Sequence, residues 1–129
     1  MPLVKIETRR GLAPATKRQL LDAVHDALVT AFKIPDHDRT QRFIEYAPED
    51  FDLPPGKGER YTLVEIVAFP GRSLDAKRAL YREIVGRFEA AGIPPGDVFI
   101  VVHEAPLDNW GMRGGKPASE LDLGFDLKV

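Results

Sequence analysis

Three groups in this chain have the chemistry to move a proton on a small organic acid. They are the proline directly after the initiator methionine, Pro2, the arginine of Gly71-Arg72-Ser73, and the aspartate that closes Ile34-Pro35-Asp36-His37-Asp38. A residue at a chain start carries an α-amino group whose reference pKa is about 7.7–8. Burial among Leu3 and aromatic side chains, near a cation such as Arg72, lowers that value, because desolvation and like charge both disfavour the ammonium form. A neutral secondary amine is then a general base, and its conjugate acid a general acid. The chemistry requires removal of Met1, since otherwise the nitrogen is an amide; a small second residue permits that removal. The plain alternative is that Pro2 is only a permissive second residue.

A guanidinium grips a carboxylate through two parallel hydrogen bonds. Arg72 is therefore the candidate anchor for an acid, against the alternative of a solvated surface arginine. Asp38 can cap its own turn through side-chain bonds to backbone amides. Arg39 beside it either pairs locally or reaches a ligand. Trp110 and Met112 stand in a glycine-rich stretch and form either an apolar wall over a site or interface packing. Arg113 either adds positive charge to the pocket or sits in a surface turn, the turn being the plainer reading. Gly111–Lys116 lacks the spacing of a phosphate loop. His25 reads as the polar side of a helix, His37 as a turn and His103 as a strand end; none has metal-ligand spacing, so no metal is expected. Glu45 and Tyr46 end a strand near the expected site.

These residues need a scaffold, and the composition bounds it. At 129 residues, 43% hydrophobic and 29% charged, the chain is one domain, 1–129, with a core of its own. The absence of cysteine removes disulfides, thiolate nucleophiles and cysteine zinc sites. A net charge of −2 with no basic block argues against nucleic acid. No apolar run approaches the ~20 residues of a membrane span, and the N-terminus lacks the order of a secretory signal. A cytoplasmic location is expected.

The chain is an internal duplication. At a shift of sixty residues Leu3, Val4 and Ile6 fall on Leu63, Val64 and Ile66, Gly11 on Gly71, Lys17 on Lys77 and Leu20 on Leu80. After a one-residue slip Ile34-Pro35 falls on Ile93-Pro94, Asp38 on Asp97 and Glu45 on Glu104. The copies run roughly 2–48 and 62–106. Arg72 faces Leu12 in this alignment, so the repeat does not require an arginine there; Asp38 faces Asp97, which favours the turn-cap reading. Each copy reads strand, helix, strand. Leu20, Val24, Ala27, Leu28 and Ala31 recur at helical spacing in the first copy, and Leu80, Ile84 and Phe88 in the second. Ser73 is the expected N-cap of the second helix. A helix between two strands makes them parallel with a right-handed crossover. Two such units give an α+β fold, a four-stranded mixed sheet with both helices on one face. Val98–Val102 is apolar on both faces, so other subunits are expected to cover the open side. Residues 107–129 form a C-terminal arm, and the alternation of Leu121–Val129 reads as a strand laid on a neighbour.

A β-α-β unit used twice and opening at a proline after the initiator methionine resembles the tautomerase superfamily. Glu104-Ala105-Pro106-Leu107-Asp108-Asn109-Trp110-Gly111 and Gly71-Arg72-Ser73 are similar to its double-length subgroup, which includes malonate semialdehyde decarboxylase. The resemblance implies a homotrimer without metal or organic cofactor, in which the exposed proline nitrogen does the chemistry. It assigns Pro2, Arg72 and Asp38 to catalysis, with Asp38 activating or orienting water. It has Arg72, Trp110 and Arg39 contact a small carboxylate substrate. Pro70 stands where the decarboxylase carries a further arginine. The implied reaction is keto–enol tautomerisation of a small 2-oxo or unsaturated acid. Decarboxylation, hydration or dehalogenation on the same site is an alternative. A non-catalytic ferredoxin-like binding module, which shares the element order, is another.

Overall fold

A computed structural model describes residues 2–129; the expected removal of Met1 falls outside the described residues. The first copy supplies β1 (Leu3–Arg9), α1 (Pro14–Phe32) and β2 (Thr40–Tyr46), and the second β3 (Thr62–Ala68), α2 (Leu74–Ala90) and β4 (Val98–Glu104). The sheet order is β2-β1-β3-β4. β1 pairs parallel with β2, β3 parallel with β4, and β1 antiparallel with β3. Lys5 and Glu65, sixty positions apart in sequence, sit opposite each other at the β1–β3 seam. The two copies are therefore related by a pseudo-twofold axis through that pair. One ion pair is kept in both: Lys17 Nζ meets Glu45 at 2.7 Å, and Lys77 Nζ meets Glu104 at 2.6 Å.

The core follows from the two periodicities. Val4, Ile6, Val64, Ile66 and Ala68 point from one face of the sheet into Leu20, Val24, Leu28 and Phe32 of α1 and Leu80, Ile84 and Phe88 of α2. Each fully buried side chain of this kind contributes about 1.5–3 kcal/mol. Both helices cover the same face, as the duplication predicts. The opposite face keeps Leu63, Val67 and Val101 half-buried, and Phe99 is 54% exposed. No described helix is long and apolar enough to cross a membrane.

The helices start differently. Ser73 Oγ accepts from the Ala76 N–H at 3.1 Å and caps α2. Ala13 gives α1 no side-chain cap, and Pro14 opens it.

Two expectations are corrected. Leu121–Val129 is not a strand, and it lies on its own chain, the Val129 oxygen accepting from the Ser73 N–H at 2.9 Å. Its alternation survives as burial, with Leu123, Phe125, Leu127 and Val129 half-buried and the residues between them exposed. The ladder is lost because aspartates take the backbone donors: Asp122 accepts from Gly124 N–H at 3.0 Å and Asp126 from Lys128 N–H at 2.9 Å. His25 is not on the polar side of α1 but 3% exposed, with Nε2 3.4 Å from Asp36. The loop after α1 folds back over that side of the helix.

Candidate active site

Strand direction brings the chemistry to one end of the sheet. β1 and β2 start there, while β3 and β4 finish there. Leu3 is opposite Thr40 on one side and Val67 on the other. Pro2, one residue earlier, is consequently flanked by the Arg39 and Ala68 positions, and it is buried. The loops entering β2 and leaving β3 and β4 deliver Asp38 and Arg39, Phe69 and Arg72, and Trp110 to the same end.

A cleft of about 190 Å³ opens there, lined by Pro35, His37, Asp38, Arg39, Thr40, Phe69, Met112, Arg113, Leu123 and Phe125. Its floor is acidic and its rim cationic, and one wall is aromatic and aliphatic. Asp38 is buried at 7% exposure, and its N–H closes a turn on the Pro35 carbonyl at 3.0 Å. Asp97 closes the matching turn on Pro94 at 2.9 Å in the second copy. Arg39 is bound to Asp22 of α1 and donates from Nε to Gln41 at 2.9 Å. The Arg39 hydrogen bond to Asp22, helped by the charge of Arg18, holds the Asp22 carboxyl below the usual carboxylate range.

Arg72 is not the solvent-facing loop residue that its position suggests. It is 7% exposed, its two terminal nitrogens 3.3 Å from the Phe69 and Phe32 carbonyls. Its guanidinium carbon is 5.0 Å from the Phe32 ring centre and 5.9 Å from that of Phe125. Burial lowers its pKa, opposed by Glu104, Asp126 and Asp38. Its buried Nε has no hydrogen-bond partner among the described residues. Arg72 thus lies behind the cleft wall that Phe69 and Phe125 form. Trp110 is also set back from the cleft: its ring meets Phe69 edge-on at 4.7 Å and its Nε1–H donates to the Ala105 carbonyl at 3.0 Å. It props the wall rather than lining it.

Two residues read first as turns, Arg113 and His37, line the cleft. Arg113 reaches the cleft because the Gly111–Met112 and Lys116–Pro117 strands, β5 and β6, make a hairpin that folds back over the site. Its left-handed φ of 48° and its bond to the Asp122 carbonyl at 3.0 Å fix it there. The glycines around it signalled the turn but not its direction. His37 lines the cleft from the Asp38 turn. Glu45 and Tyr46 are at the other end of the sheet, since β2 runs away from Pro2; Tyr46 donates to Glu7. Among the described residues no group of three or more His, Asp or Glu is placed to hold a metal ion.

This arrangement has known counterparts. A family model described as tautomerase enzyme matches residues 38–113, and a second of the same description matches residues 2–54, essentially the first copy alone. Probable tautomerase YrdN of Bacillus subtilis (strain 168) is 29% identical over 122 residues, 90% of this chain and 94% of that one. The crystal structure of malonate semialdehyde decarboxylase superposes with a TM-score of 0.82 at 30% identity, over 89% of this chain and 93% of that chain. A fused 4-OT described as a symmetric trimer gives 0.81 at 28% identity, over 91% and 96%. With a duplicated β-α-β sheet, a buried proline at its head and matches that run through both copies, this chain belongs to the tautomerase family.

Proposed function

We propose that this protein is a tautomerase that needs no cofactor and moves a proton on a small 2-oxo or unsaturated carboxylic acid, with the Pro2 nitrogen as base. The observation that carries this reading is the burial of Pro2 at the sheet end where Arg72 is also buried. An amine desolvated beside a fixed cation sheds its proton more readily than one in water. Arg72 supplies that cation from behind the wall of Phe69 and Phe125, where its charge favours an acid held in the cleft. Arg39 and Arg113 at the rim draw the anion in. Phe69, Met112, Leu123 and Phe125 exclude water, with Trp110 behind them. The base then takes the proton next to the carbonyl and returns it at another carbon, and confinement removes the entropy of encounter.

The assembly is a homotrimer in this reading. Support comes from Phe99, exposed on the sheet face that the helices leave open, and from the trimer reported for the fused 4-OT.

The test is a panel of small enol acids turned over by protein shown by intact mass to begin at Pro2. Pro2→Ala is expected to lower kcat/KM by about 10²–10⁴-fold, and protein retaining Met1 to be inactive. Near wild-type turnover by either removes the amine from the mechanism.

Asp38 favours a second reading. It is a buried carboxylate lining the cleft, and the decarboxylase that superposes on this chain is described as having decarboxylase and hydratase activities. With Asp38 directing water and protonated Pro2 as acid, the same pocket decarboxylates or hydrates. Turnover of β-oxo acids against enol acids separates the two.

A further inference from the structure

We infer that the opposite end of the sheet, where the second copy begins, is a second, non-catalytic binding site for a small carboxylate anion. The pseudo-twofold axis carries the Pro2 end onto this one, with Thr62 in place of Pro2 and the loop Arg9–Ala13 in place of Phe69–Ser73. The loops share an unusual backbone: φ is 130° at Gly11 and 123° at Gly71.

At the second-copy loop the chain supplies its own acceptor. The Val129 oxygen takes the Ser73 N–H at 2.9 Å, and a Cβ added at Gly71 would lie 3.1 Å from the Leu127 oxygen. At the first-copy loop no described group accepts from the Ala13 N–H, and a Cβ added at Gly11 would meet nothing within 4 Å. A cleft of about 130 Å³ opens there instead, lined by Arg9, Arg10, Gly11, Leu12, Glu59 and Arg60. Three guanidiniums outweigh one carboxylate. Arg9 holds Glu59 at 3.1 Å and the Phe51 carbonyl at 2.8 Å, and Arg60 holds the Gly92 carbonyl at 3.0 Å. Arg10 makes no side-chain hydrogen bond or ion pair among the described residues, so its planar donor fork is available for a carboxylate. Thr62 is an internal residue whose nitrogen is an amide, so this end can hold an acid but cannot take its proton as Pro2 does. The site stands whether or not the Pro2 end is a tautomerase.

The test is an amide NMR titration of the whole protein with sodium pyruvate against sodium chloride at equal ionic strength. Saturable shifts are expected at Gly11, Leu12 and Ala13, with an affinity separate from any shifts at Phe69–Ser73. Arg10→Ala and Arg60→Ala, both exposed changes, should each weaken the first set by about ten-fold or more while turnover at the Pro2 end persists. Absence of saturable shifts at Gly11–Ala13, equal shifts with chloride, or shifts unchanged in both variants would overturn the site. Loss of turnover in Pro2→Ala bears on the other end alone.

Discussion

The two copies differ at the candidate site and agree where the fold is. Lys17–Glu45 and Lys77–Glu104 are the same strut built twice. The Asp38 and Asp97 turns close on equivalent proline carbonyls, Pro35 at 3.0 Å and Pro94 at 2.9 Å. Divergence gathers at the sheet ends. Arg72, buried between Phe32 and Phe125, corresponds to Leu12, and Phe69 to Arg9. One end is aromatic, roofed by a hairpin and a tail, with its cation sunk in the wall. The other is open and rimmed with arginines. Duplication preserves what the strands and helices need to pack. It leaves the loops at each end free to differ, because loop side chains carry little of the core.

That contrast can be broken by substitutions made in pairs. Arg72→Leu, which gives the second copy the first copy's residue, is expected to lower kcat/KM for a small acid by roughly a hundred-fold. Leu12→Ala should leave it unchanged; equal losses would dissolve the distinction between the ends. Deleting residues 121–129 uncovers Phe69 and Arg72 and should cost about 2 kcal/mol in a urea titration. A smaller effect than about 0.5 kcal/mol would mean that the tail contributes no packing.

Gly71→Ala should destabilise more than Gly11→Ala by about 1 kcal/mol. Both positions impose the same backbone strain, but only Gly71 faces the Leu127 oxygen at 3.1 Å. Ser73→Ala should cost about 1 kcal/mol, and Ala13→Ser should stabilise α1 by a few tenths up to about 1 kcal/mol. Thermal melts of the four variants read both comparisons.

The smallest effect concerns the open face, where Glu7 corresponds to Val67. Tyr46 donates to Glu7, which raises the Tyr46 pKa above its ordinary value near 10. A raised acid binds its proton more tightly in the folded state. The hydrogen bond therefore stabilises the fold below the unfolded tyrosine pKa, and the benefit is lost as pH rises through the folded value. An ultraviolet titration should show a late tyrosine that Glu7→Gln brings down; an unshifted curve would remove the coupling.

Much of this was legible in the residues. The sixty-residue shift located both copies, and the helical spacing of Leu20, Val24 and Leu28 placed the core. Ser73 was readable as a cap because a hydroxyl before a helical run has few other uses. The site was legible in part. Pro2, Asp38 and Arg39 meet at one sheet end because strand direction alone brings them there. The burial of Arg72 and His25 was not readable, and Arg113 in the cleft was readable only as one of two alternatives. Each depends on a segment distant in sequence folding over it: Phe125 over Arg72, the Asp36 loop over His25, and the β5–β6 hairpin carrying Arg113.

The tail shows the same division. Alternating Leu121–Val129 announced one apolar edge, and that edge is half-buried. Whether it would pair as a strand or wrap over loops was set by where an apolar surface lay open on the same chain. Sequence by itself determined the duplication, the elements and the strand polarity, because periodicity and turn chemistry are local. The tertiary structure decided which end became a walled pocket and which stayed open, because that turned on where the chain after β4 came to rest.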